Sequence, residues 1–212
     1  MSTTATTEIA CPSCGKGQAV LAVESANVRR FPEFRRRLLD GTFMRFDCTG
    51  CTERFIVERD LLWTDLDAGL LIAVFPQTER ERALELSHIV EDVYDRAFVR
   101  EPPAVVRASV PELRCRVVFG YEELREKIVC FDGGLDDRIL EALKLAIMEA
   151  QPNIYRPSLQ AVDEQALWFA GVGSNAQPFA VDRRAYEAMR ADEPALRILL
   201  PGLFAGAHVS VK

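Results

Sequence analysis

Histidine is nearly absent from this 212-residue chain: only His88 and His208 occur, far apart and in no recognisable site motif. A nucleophile activated by imidazole, or an open metal centre held by imidazoles, therefore lacks its usual parts. Lysine is scarce too, with only Lys16, Lys127, Lys144 and Lys212 among 26 cationic side chains. That scarcity reads as a coding bias toward arginine before any selected need for planar guanidinium contacts. A basic excess is missing: the net charge of −6 argues against a whole-protein footprint for nucleic acid, so any basic patch must be local. No apolar run approaches the roughly 20 residues that span a bilayer, and residues 1–7 lack the basic start and apolar stretch of a secretory signal. The expectation is a cytoplasmic protein with no membrane partner. Internal repeats and low-complexity blocks are also lacking.

What the chain does have is a soluble globular composition, 49% apolar and 27% charged, able to bury a real core. Its length fits one large domain or two small ones, and the cysteine pattern favours two. Gln18 to Val28 reads as a strand. In the segment from Pro32 to Gly41, proline suits a first helical turn and glycine a left-handed stop, with Phe34, Leu38 and Leu39 as the inward stripe. Phe43, Phe46, Phe55 and Val57 flank a hairpin, and strands continue from Leu61 to Phe75 around a turn at residues 64–69. Leu86, Ile89, Val90, Val93 and Ala97 recur at helical spacing, with Thr78 as the expected N-cap.

The Arg100-Glu-Pro-Pro103 segment and the residues to Pro111 break all periodicity, which sets the expected domains at residues 1–108 and 109–212. Beyond them come a strand at residues 113–119, a helix from Tyr121, and a second helix carrying Leu135, Ile139, Leu143 and Ile147 behind Asp136 and Asp137. Two strands, a helix from Arg183 and an apolar run from Leu196 to Val211 follow. That run is expected to bury itself in its own chain or across a homodimer.

Four cysteines carry the chemistry. Cys11-Pro-Ser-Cys14-Gly15 and Cys48-Thr-Gly-Cys51 are two short hooks, each placing two sulfurs within reach of one ion, and together they complete a tetrahedral zinc site. Thirty-three residues separate Cys14 from Cys48, room for the strand, helix and strand between them. In a reducing compartment these thiols are metal ligands rather than disulfides. A thioredoxin-like dithiol at Cys11 and Cys14 would leave the second pair unexplained. Cys115 and Cys130 fall on apolar faces and read as small hydrophobes. Zinc held by four thiolates has no open position and supplies folding free energy, not a reaction.

These residues resemble the CpXC proteins, bacterial and archaeal chains named for an N-terminal Cys-Pro-x-Cys motif. The resemblance rests on the first cysteine hook, on Leu38-Leu-Asp-Gly41, on Phe46-Asp-Cys48-Thr-Gly-Cys51, on Leu62-Trp-Thr-Asp65, and on Leu124 to Ile128 with Gly134 to Asp137. It covers roughly residues 8–150 and implies a zinc-binding domain without a well-established activity.

No catalytic constellation is visible. His88 lies beside a helical apolar stripe and reads as a partly buried helix residue. The charges at Glu122, Glu123, Arg125, Glu126, Lys127, Asp136 and Asp137 are explained mostly by helical pairs such as Glu123 with Lys127. Arg29, Arg30, Arg35, Arg36, Arg37 and Arg45 crowd the insertion between the hooks, a possible partner-binding face. The fold expected is α+β: an elaborated N-terminal zinc ribbon with an antiparallel sheet and helices, followed by a C-terminal α/β module. The function expected is non-enzymatic, a protein-interaction or adaptor module with structural zinc and an unknown protein partner; the alternative is a nucleic-acid-binding ribbon using the Arg29–Arg45 face.

Overall fold

The computed structural model describes residues 2–103, 105, 113–172 and 177–211. The chain is α+β and divides into two compact units, Met1–Glu122 and Glu123–Lys212. The boundary expected between residues 108 and 109 lies outside the described residues. The observed division comes later because the strand at residues 114–119 joins the N-terminal sheet. Among the described residues no helix is long and apolar enough to cross a membrane.

The N-terminal unit is built on a five-stranded sheet. Strands β1 (Thr3–Ala10) and β2 (Gly17–Asn27) form a long antiparallel hairpin. Strand β1 has no apolar alternation to betray it, but four of its eight residues are threonine, whose β-branch favours extended backbone. After β2 comes helix α1 (Pro32–Leu39), then a small hairpin of β3 (Arg45–Asp47) and β4 (Arg54–Ile56). Strands β5 (Leu61–Asp65), β6 (Leu70–Phe75) and β7 (Arg114–Phe119) complete the sheet in the order β1-β2-β5-β6-β7.

The expected sheet was antiparallel, and the observed one is mixed. β2 runs parallel to β5 over Ser25–Asn27, and β6 runs parallel to β7. Parallel neighbours need a long crossover, and the chain supplies one in each case: α1 with the small hairpin, then the helical segment after β6.

Proline at the first turn and Gly41 at φ 72° bound α1 as expected, and Phe34 and Leu38 are its buried residues. Phe34 meets Phe43 edge-on at 6.0 Å. Phe43 in turn meets Trp63 at 6.1 Å and Tyr121 at 5.2 Å. Such edge-to-face pairs add to burial and pin the segment leading into β3 against the sheet. Tyr121 also donates its hydroxyl proton to the Val57 carbonyl at 3.2 Å, just beyond β4.

The segment after β6 departs from expectation. A 3-10 turn (Gln77–Arg82) precedes helix α2 (Ala83–Tyr94), and a π-helical turn (Asp95–Arg100) follows it. Thr78 lies inside the 3-10 turn and caps nothing. Of the anticipated stripe only Leu86 is buried; Ile89 and Val93 are 50% and 53% exposed, and His88 is exposed rather than partly buried.

The C-terminal unit carries helix α3 (Tyr121–Asp132) from Glu123 onward, helix α4 (Asp137–Ala150), and an antiparallel sheet of β8 (Tyr155–Val162), β9 (Ala166–Val172) and β10 (Phe179–Asp182). Helices α5 (Arg183–Ala191), α6 (Glu193–Leu199) and α7 (Pro201–Phe204) close it. The Asp136 side chain caps α4 by accepting from the Arg138 amide. Leu135, Ile139, Leu143 and Ile147 face the core, as their spacing requires, against Leu159, Leu167 and Phe169 of the sheet. The apolar run after Leu196 buries itself in the same unit through Leu196, Leu203, Ala207 and Val209.

One feature of this core was unforeseen. Lys127 and Lys144 are buried, Lys144 wholly so, among Glu126, Asp137 and Glu141. Lys127 Nζ reaches Asp137 at 3.0 Å, and Lys144 Nζ reaches Glu126 at 3.0 Å and Glu141 at 2.9 Å. The Leu159 amide donates to Glu126 at 2.9 Å. Burial opposes both ammonium charges, but the carboxylates outweigh it: Asp137 and Glu141 for Lys127, and Glu141 and Glu126 for Lys144. Both groups are held charged above their ordinary range.

Candidate metal centre

Two hairpin turns present the four sulfurs. The first, residues 11–16, joins β1 to β2 beyond the Ala10–Gly17 pair. The second, residues 48–53, joins β3 to β4 beyond the Asp47–Arg54 pair. They are closed alike: the Cys11 amide donates to the Lys16 carbonyl at 3.0 Å and the Cys48 amide to the Glu53 carbonyl at 2.9 Å. Each turn thus curls its two thiols to one side.

Facing each other, the turns bring Cys11, Cys14, Cys48 and Cys51 together, with all four sulfurs within 4.8 Å of one another. Cys11 Sγ lies 3.8 Å from Cys51 Sγ, and Cys14 Sγ lies 3.6 Å from Cys48 Sγ. Four thiolates about 2.3 Å from one central ion sit about 3.8 Å apart along the edges of the tetrahedron, so the set fits a single metal ion. Cys11 and Cys48 are buried, Cys51 is half-buried and Cys14 is exposed. Cys115 and Cys130 take no part in the cluster.

The sulfurs differ in their readiness to ionise. The Gly50 amide, 3.2 Å from Cys48 Sγ, leads the causes that outweigh desolvation and bring the Cys48 thiol down to about 6. At Cys51 the Glu53 amide pulls downward, but desolvation and the neighbouring sulfurs outweigh it and raise the thiol to about 12. Cys48 and Cys51 do not both ionise readily at neutral pH, so an entering ion must still displace a proton. Metal uptake at about pH 7 is therefore expected to release at least about one proton per ion, seen as a buffer-dependent binding enthalpy. Because protons compete for the same sulfurs, affinity should fall at least roughly tenfold between about pH 8 and about pH 6. A pH-independent affinity would contradict this ligand set.

The Gly15 amide bonds the Cys11 carbonyl at 2.9 Å, and an amide-to-sulfur contact occurs in the second turn, at Gly50. A β-carbon at position 50 would lie 2.5 Å from Lys16 Cδ, so the Lys16 side chain, whose ammonium donates to the Thr49 carbonyl at 3.2 Å, would have to move aside.

Gln18 was not foreseen as a site residue. At the start of β2, its amide nitrogen donates to the Asp47 carbonyl at 3.1 Å, and its amide oxygen accepts from Thr49 N at 2.8 Å. One side chain thereby ties the start of β2, just after the first turn, to the end of β3 and the second turn. Residues that hold ligands in place typically tune metal affinity by one to two orders of magnitude. Gln18→Ala is expected to speed metal loss to a competing chelator by on the order of tenfold while leaving the overall fold intact. Unchanged transfer kinetics would remove Gln18 from this role.

The arginines between the turns are largely engaged locally. Arg35 pairs with Asp65 at 3.0 Å, Arg29 with Asp67 at 3.7 Å, and Arg37 donates to the Thr42 carbonyl at 3.2 Å. Arg30 stacks over Phe31 at 5.7 Å, while Arg36 and Arg45 are exposed. Phe34 and Phe43, near these arginines in the sequence, are buried in the core.

A family model described as CpXC protein matches residues 9–144, a span that contains both turns. An uncharacterised protein of Treponema pallidum (strain Nichols) is 25% identical over 197 residues, covering 85% of this chain and 86% of the relative. No solved structure matches the chain.

Proposed function

The chain belongs to the CpXC protein family, and we propose that it is a non-enzymatic interaction or adaptor module whose N-terminal unit is held by one structural zinc ion on Cys11, Cys14, Cys48 and Cys51. The observation that carries this reading is the closed set of four converging sulfurs. Sulfur donors in a tetrahedral arrangement suit zinc, and four of them leave no position for substrate. The ion would hold the two hairpin turns together as a cross-link within one unit. The cytoplasm, where thiols stay reduced, is the compartment that suits such a site.

An interaction module needs a face to offer. Helix α2 supports the reading, because Leu84, Ile89 and Val93 stay exposed although they are the residues a helix normally hides. The arginine face does not favour nucleic acid in this reading, since three of its six members already bond within the chain.

The test combines elemental analysis with capture from a native lysate of the source organism. Stoichiometric zinc is expected, together with a protein partner that is lost in an Ile89→Glu, Val93→Glu variant of unchanged zinc content. Short oligonucleotides should show no salt-sensitive retention. Retention abolished by Arg35→Glu, Arg36→Glu and Arg37→Glu would replace the adaptor reading with the nucleic-acid one.

A further inference from the structure

The buried ion network of the C-terminal unit also grips the segment at residues 209–211 by its backbone. Lys127 Nζ, besides pairing with Asp137, donates to the Val209 carbonyl at 2.6 Å. Glu141 Oε2 accepts from the Val211 amide at 3.0 Å while its other oxygen holds Lys144 at 2.9 Å. In an extended chain, the carbonyl of one residue and the amide two residues on project from the same edge. Lys127 and Glu141 offer that edge the donor and acceptor that a neighbouring strand would supply, but from side chains on two helices.

Apolar burial sets the register. The Val209 side chain is 1% exposed and Ala207 3% exposed, so alternate residues of the segment enter the core while their backbone is read by charge. Apolar contacts alone could have fixed such a tail, and buried ion pairs are seldom better for stability than apolar residues of equal volume. What the charges add is a donor and an acceptor at a set spacing. Lys127 is braced by Asp137, and Glu141 by Lys144, which is itself braced by Glu126.

We propose that Lys127 and Glu141, with the ion pairs that brace them, form a peptide-binding seat occupied in this chain by residues 207–211. The ligand class is an extended strand with small apolar residues at alternate positions, presenting a carbonyl and an amide two residues apart on one edge. The inference rests on the C-terminal unit alone and is independent of the metal centre. A seat differs from ordinary core in one respect: its strand leaves without the rest of the unit unfolding.

Hydrogen exchange on the full chain tests that difference. The Val211 amide is expected to exchange at least tenfold faster than the amides of Leu143 and Ile147 in α4. Equal rates would mean that the segment opens only with the whole unit, and would overturn the proposal. A chain ending at Gly206 supplies the second arm. It should fold and bind a fluorescent peptide of residues 206–212 saturably, one to one. An analogue with an ester in place of the Val211 amide should bind at least tenfold more weakly. A shortened chain that fails to fold, fails to bind the peptide, or binds the ester equally well would each overturn the seat.

Discussion

Cys48→Ser is expected to abolish stoichiometric metal and to unfold the ribbon of the N-terminal unit at temperatures where the wild-type chain is stable. The two turns touch through the sulfur cluster, through Gln18, and through Lys16 to Thr49. Hydrogen bonds of that kind contribute about 0.5–1.5 kcal/mol each. A structural zinc site in a small module contributes on the order of 10 kcal/mol, comparable with the whole stability of a typical domain. Loss of a ligand therefore dominates every other local change. Cys48 is buried, and the Gly50 amide favours its thiolate. Circular dichroism melts beside elemental analysis will check this. A variant that melts like wild type and still carries one ion per chain would show that Cys48 is not a ligand.

Lys144→Ala is expected to destabilise the C-terminal unit by about 3–5 kcal/mol, the cost of leaving buried carboxylates without their cation. Lys144 is 0% exposed and bridges Glu126 to Glu141, so its removal takes the nearest cation from both carboxylates in a site from which water is excluded, with only Lys127 remaining 3.8 Å from Glu141. Its contribution should persist across neutral pH. The folded ammonium is held above its ordinary value of 10.5, so the stabilisation is complete below that value and is lost only as pH rises beyond it. The surface supplies the contrast. Arg82, paired with Glu79 at 2.6 Å and Glu85 at 2.8 Å in open solvent, should barely move the unfolding midpoint when replaced by alanine. Urea titrations of the two variants measure the difference directly. Equal midpoints would show that the buried network contributes no more than an exposed pair.

These residues also mark how far the chain could be read before its fold was seen. The sulfur cluster was legible because four cysteines in two short hooks have few other uses, and α1 was legible because proline and glycine bracket a clear apolar stripe. Strand β1 was not: three of its four threonines are exposed and its partner lies across the first cysteine turn, so no apolar alternation marks it. Helix α4 was seen for its leucines and isoleucines, yet Glu141 and Lys144 on the same helix are as buried as its stripe. Hydrophobic periodicity takes charge as a sign of water, and paired buried charges defeat it. Gln18 escaped for a different reason, since its partners are backbone groups some thirty positions away that no side-chain pattern records. On α2 the error ran the other way: the stripe is present, but part of it faces solvent.

The claim on which the rest depends is that four sulfurs saturate one ion. X-ray absorption at the zinc edge of the purified full chain tests it most directly. Four sulfur scatterers near 2.3 Å with no oxygen or nitrogen in the shell is the outcome expected of a closed structural site. A shell with three or fewer sulfurs and a bound water, or a protein that purifies folded with no metal, would contradict it.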